Sequence, residues 1–204
     1  MVAAGAADTA RFDRAVAAID AANADDPNRI RVRGEERPKE LAHAELATEW
    51  VRRLRPDASE ELLLAARAHH VRRWEIPRRS YPNGRSGYLR WRRALHDLHA
   101  EVAGHALSEA GYEPAVIERV QAIVRKRNLA RDTEVQALED ALCLVFLETQ
   151  FDSLADRLDA EKMDDVVRKT LVKMSDEGKQ LALSLDVGDD ERAALERALR
   201  TPGG

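Results

Sequence analysis

The stretch EVQALEDALCLVFLETQF, residues 134–151, constrains this chain most. It predicts a helix that is apolar on nearly every face, and such a helix has to sit at the centre of its fold. The rest of the chain must then supply the helices that cover it. Alanine and leucine dominate, aromatic residues make up only 4%, and β-branched runs are scarce. That usage favours an all-α fold. A chain of 204 residues can bury one good-sized core. We therefore expect one domain over residues 1–204, an irregular bundle of about eight to ten helices.

Other segments read as amphipathic helices. Phe12, Val16 and Ile19 share a stripe on a first helix capped by Asp8 or Thr9 and running to about Ala24, after a frayed 1–7. Residues 24–38, with Pro27, Gly34 and Pro38, read as a connector. PKELAHAELATEWVRRL follows, with Pro38 in its first turn. Ser59 starts the next helix, which carries His69 and His70, and the segment after it, EIPRRSYPNGRSGY, is irregular. Tyr88 to Ala110 is a long helix ended by Gly111. Val116, Val120 and Ile123–Val124 mark another, residues 153–183 one or two more, and DDERAALERALR the last before a loose TPGG.

The lone cysteine, Cys143, falls in an apolar run, so it reads as a core residue and no disulfide framework exists. No run approaches the ~18 apolar residues of a membrane span, and the first twenty residues lack a signal-peptide pattern. The expectation is a cytoplasmic protein with no membrane partner. Motif searches for a P-loop, GxGxxG, HExxH, CxxC and GxSxG are empty.

Chemistry concentrates in LLLAARAHHVRRW, Leu62–Trp74, where an apolar run meets two adjacent histidines and then arginines. Neutral imidazole is a common transition-metal ligand. His43 upstream and Asp140 downstream also lie in helical apolar patterns, and facing helices of a bundle can bring such residues to one level. His43, His69, His70 and Asp140 are the candidate ligands of one divalent ion (Mn, Fe, Co, Ni, Zn or Mg). The bland readings stand beside this one. His43 can be a hydrogen-bonded core histidine, and Asp140 can pair with Arg127. His96, His99 and His105 share the long helix, His96 and His105 as surface or supporting residues.

Net charge is −4, yet Arg67 to Arg93 holds nine arginines against one carboxylate, Glu75. Guanidinium forks suit phosphate oxygens, so this segment reads either as an anion-binding rim or as a solvated face paired with acids elsewhere. Arg78, Arg79, Arg85 and Arg92, with Tyr88 and Trp91, are the candidate substrate-binding residues. The aromatics could stack on a base, which would make the ligand a nucleotide. The acidic remainder and the lack of an RNA-binding motif argue against nucleic acid.

LAHAELATEW, LLLAARAHHVRRW, LHAEVAGHALSEAGY and VQALEDALCLVFLE together resemble the HD-domain superfamily of metal-dependent phosphohydrolases, over residues 38–150, with 151–204 as a helical extension. More narrowly, the chain resembles a bacterial family known only as a domain of unknown function. The resemblance implies ligands in the order H…HD…D and a metal-dependent phosphomonoesterase or phosphodiesterase for a small phosphorylated substrate. His99 then stands where many members carry a further histidine, and Arg127 where phosphodiesterase-like members often have one. Both become candidate catalytic residues. His70 replaces the usual bridging aspartate, which implies a single ion, because an imidazole binds one metal where a carboxylate can bridge two. An inactive anion-binding sensor is the alternative, and an HD-like oxygenase ranks last for want of carboxylates. A homodimer stays open.

Overall fold

A computed structural model describes residues 2–155 and 159–200. Nine α-helices occur among them, with one two-stranded hairpin. The helical bundle expected from the alanine and leucine content is what forms. α1 spans Val2–Ala24, α2 Lys39–Leu54, α3 Glu60–Ala68, α4 Arg85–Ala110 and α5 Pro114–Val124. α6 spans Thr133–Ala155, α7 Ala160–Leu171, α8 Asp176–Leu183 and α9 Asp189–Arg200.

The apolar helix is central. α6 packs against α2, α3, α5, α7, α8 and α9. Leu138, Ala141, Leu144 and Leu147 on it are fully buried. α1 covers α2, α3 and α4 with Ala15 and Ile19 buried beneath it. Cys143 is buried as a free thiol. No helix of the described residues is long and apolar enough to cross a membrane.

Local chemistry sets the ends. Ser59 caps α3 through the Leu62 amide, and Pro114 occupies the first turn of α5. Gly111, in the left-handed region at φ 89°, closes α4 and lets Tyr112 N–H reach the Leu107 carbonyl.

Three expectations need correcting. The 24–38 connector contains a hairpin, β1 Arg29–Val32 against β2 Glu35–Pro38. Its turn residues, Arg33 and Gly34, both have positive φ, which suits the right-handed twist of paired strands. Residues 2–7 do not fray in the structure: the helix is continuous from Val2, where the alanines favour it. Finally, the helix that starts at Ser59 stops at Ala68 rather than carrying the histidine pair. His69 caps it, and the chain turns through Arg72 in the left-handed region at φ 54°. The Asn23 side-chain oxygen accepts from the Arg72 amide and holds that turn. The TPGG tail lies outside the described residues.

Candidate metal centre

Glu40 sits in the first turn of α2, where the helix dipole favours a carboxylate. The hairpin delivers the chain to that point, and Asp26 accepts from the Glu40 amide at 2.9 Å, which fixes the turn. His43 follows three residues later, on the same face of the helix. His70 approaches from the turn after α3. Glu40, His43 and His70 each offer a ligand atom, all within 4.8 Å of one another, so this group could hold a metal ion.

The proton positions favour that reading. The Thr149 hydroxyl donates to the Val145 carbonyl at 2.7 Å, so at its contact with His43 Nε2 it can only accept. That leaves the His43 Nδ1 lone pair facing Glu40 Oε2, 3.7 Å away. His70 Nδ1 lies 3.3 Å from the same oxygen, and both Glu40 Oε2 and His70 Nδ1 are buried without a hydrogen-bond partner. Polar atoms thus converge here with no hydrogen bond between them. A proton does not settle on His70 near neutrality, because surrounding protein, then His69 and Arg73, hold its imidazole well below its ordinary range. Burial pushes the Glu40 carboxyl up, but its contact with His43 and the charge of its surroundings, Arg73 included, outweigh this and leave it below the usual range. A divalent cation fits such a donor set.

Other predicted site residues sit elsewhere or are differently occupied. His69 stacks on His70, with ring centres 4.2 Å apart, and its Nδ1 donates to the Ala66 carbonyl. It stands outside the three-residue group. Asp140 is outside as well. It accepts from the Ser175 amide and hydroxyl at 2.8 and 2.5 Å and from Gln136 at 2.9 Å, and so anchors the start of α8. Nine residues separate it from Thr149, roughly 13 Å of helix rise from the residue that touches His43. Arg127 is exposed, and Lys126 turns inward instead, to a partly buried ion pair with Glu139. Lys126 and Asn128, on either side of Arg127, both have positive φ. His99 is buried against the cluster, with its ring 5.7 Å from that of His70.

Sequence reasoning missed Glu40. The signal was the spacing Glu-x-x-His, which puts a carboxylate and an imidazole on one helix face and builds metal sites in other bundles.

Glu40 also forms part of the wall of a recess of about 590 Å³. Five cations border it: Arg29, Lys39, Arg73, Arg78 and Arg79. Trp74 and Trp91 complete its apolar side. Arg78 donates to the backbone carbonyls of Tyr81 and Pro82, and among the described residues no carboxylate pairs with Lys39 or Arg79. Arg85, Tyr88 and Arg92 lie on α4 outside the lining. Tyr88 is exposed, and its hydroxyl accepts from Arg92, which also contacts His96. Gly87 allows the loop to close on α4, since a Cβ there would stand 1.9 Å from the Pro82 carbonyl oxygen.

Residues 13–195 match a family described as "Domain of unknown function (DUF4202)". The chain belongs to the DUF4202 family. No curated protein and no solved structure matches it. The description of DUF4202 carries no activity, so the reading of this member rests on its own residues.

Two predictions follow from this geometry. Asp140→Ala in this DUF4202 chain should lower stability by about 3 kcal/mol, since it removes the partner of the half-buried Ser175 amide and hydroxyl and one of the two partners of Gln136. Its metal content should equal wild type, and a drop to zero in folded protein would return Asp140 to the ligand set. The second concerns acid. Burial pushes His69 down to about 3 and His99 to about 4. The unfolded chain takes up these protons below about pH 6.5, whereas the folded chain refuses them until pH 3–4, so stability falls as pH falls through that window. Between pH 6.5 and 5 each should cost about 2 kcal/mol, read as a lower urea midpoint of chelator-treated protein. A midpoint unchanged over that range would contradict the neutral histidines.

Proposed function

We propose that this protein is a metal-dependent phosphohydrolase that takes a small phosphorylated molecule. The observation that carries this reading is the double position of Glu40, which belongs to the ligand cluster and also walls the cationic recess. An anion seated in that recess would meet the ligand cluster through one shared side chain. When bound, a divalent ion would lower the pKa of a water and polarise a phosphoryl oxygen. The chain's own residues do the rest. Glu40, His43 and His70 fix the ion. Arg73, 3.9 Å from Glu40 Oε1, reaches from the cluster to the recess and supplies positive charge at their boundary. Arg78, Arg79 and Lys39 neutralise further negative charge. Arg73 also lies over the Trp91 ring, 5.0 Å from its centre, which holds the guanidinium at that wall. Trp74 beside it leaves an apolar surface for a base, so nucleotides belong in the substrate panel.

The test is turnover of phosphomonoesters, phosphodiesters and nucleotides by the ion-loaded protein. Cleavage that stops on chelation and returns with the ion is expected, read as inorganic phosphate from a monoester or as monoester and alcohol from a diester. A loaded protein that binds these compounds and yields neither product would leave the non-catalytic sensor in its place.

A further inference from the structure

His99 has an unexplained nitrogen. Its side chain is 1% exposed, and its Nδ1 donates to the Val71 carbonyl at 2.7 Å. The lone pair is thereby fixed on Nε2, and Nε2 is buried without a hydrogen-bond partner. Buried polar atoms are rarely left in that state. Glu40 Oε2 and His70 Nδ1 share its condition, and the His99 ring is the neighbour of the His70 ring, although His99 lies outside the group whose ligand atoms are all within 4.8 Å of one another.

The anchoring is that of a metal ligand. A histidine that binds an ion through one nitrogen ordinarily gives the other N–H to a carbonyl or carboxylate, which sets the tautomer and the ring plane. Val71 directly follows His70, so the carbonyl that holds His99 belongs to the same turn as His70 and ties the two rings together. Two imidazoles at a tetrahedral angle on one ion have ring centres about 5 Å apart, given metal–nitrogen bonds of about 2.1 Å. The observed separation is 5.7 Å.

We propose that His99 is the fourth ligand of the centre, and that the site therefore takes a borderline transition ion such as zinc, cobalt or iron in preference to magnesium or calcium. The donor set is then three imidazole nitrogens and one carboxylate oxygen, drawn from α2, the turn after α3, and α4. Magnesium and calcium require oxygen ligands, whereas imidazole suits the later divalent ions. His99 on this account binds the ion and is not the proton acceptor of the reaction. The inference rests on the reading that Glu40, His43 and His70 hold an ion, and it does not depend on hydrolysis.

Titration of the full chain with Co²⁺ and with Mg²⁺ tests it. Wild type should bind Co²⁺ at least about a hundredfold more tightly than Mg²⁺ and show the intense visible bands of a low-coordinate cobalt site. His99→Phe keeps a buried ring and loses the ligand. It should bind Co²⁺ about tenfold or more weakly, with weaker and shifted bands. Unchanged affinity and bands in folded His99→Phe, or equal binding of the two ions by wild type, would overturn the proposal. Should His99→Phe fail to fold, the ¹⁵N signal of His99 Nε2 in wild type decides: it moves on Zn²⁺ addition if His99 is a ligand, and a stationary signal overturns the assignment. Wild type that takes up none of these ions would remove the three-residue centre, and this inference with it. Uptake that leaves His99 unaffected removes only this inference.

Discussion

Glu40→Gln is expected to weaken divalent-ion binding by about a hundredfold or more and to leave the apo fold intact. The amide keeps the volume of the carboxyl group, and the Asp26 bond is made to the Glu40 backbone, so the start of α2 is preserved. The charge that draws an ion between His43 and His70 is lost. Even changes to groups that only orient a ligand cost 10–100-fold in metal affinity, and Glu40 would touch the ion itself. The ion should also stabilise the fold far less. Ion at about 1,000 times the wild-type dissociation constant adds about 4 kcal/mol to wild type, and at the same concentration this increment should fall to about 1.4 kcal/mol or less in Glu40→Gln. Calorimetric titration and thermal melts with and without the ion read both effects. Wild-type affinity in the variant would show that Glu40 is a buried first-turn carboxylate and nothing more.

Arg73→Ala should weaken binding of inorganic phosphate and of a nucleoside monophosphate to ion-loaded protein by about tenfold to a hundredfold. That is the worth of one charge-assisted hydrogen bond, roughly 1.5–3 kcal/mol. Burial lowers the pKa of Arg73 and Glu40 opposes the shift, yet a guanidinium stays charged at neutral pH. Arg73 repels a cation in the cluster, so its removal should leave ion affinity equal or higher. Arg73→Lys should recover part of the loss, because a point charge lacks the fork. Arg85→Ala, on the exposed start of α4, should bind as wild type. Titration with phosphate separates these outcomes, and an Arg73→Ala protein that binds phosphate normally would take the recess out of the account.

The fold was legible where periodicity and terminators agree. The all-round apolar run announced α6 as central, and Gly111 with Pro114 marked the break between α4 and α5. The hairpin was not legible, since RIRV alternates over only four residues and its partner EERP is charged and has no alternation. The end of α3 was hidden too. No glycine or proline follows Ala68 before Pro77, and Arg72 and Arg73 are good helix formers, so the stop depends on a turn at Arg72 that Asn23, 49 residues earlier in the chain, holds in place.

The site was legible in part. The sequence singled out His43 and His70 as histidines in or beside apolar patterns, and the fold sets them against one carboxylate. Glu40 escaped notice because a first-turn glutamate usually serves as an exposed partner of the helix dipole. Burying it takes the hairpin, Asp26 and the His70 turn together, and no local pattern encodes that. Asp140 attracted attention for being an acid in an apolar run, but the residue that explains it, Ser175, lies 35 positions away. The basic segment was visible as charge, while the recess also recruits Arg29 and Lys39 from the hairpin and α2.

The central claim is that Glu40, His43 and His70 hold one ion. Its most direct test is the number of transition-metal ions retained per chain after exhaustive dialysis, compared between wild type and His70→Ala, with folding of both checked by circular dichroism. The account predicts close to one ion per chain in wild type and close to none in the variant. Equal content in the two proteins, whether one ion or none, would contradict it.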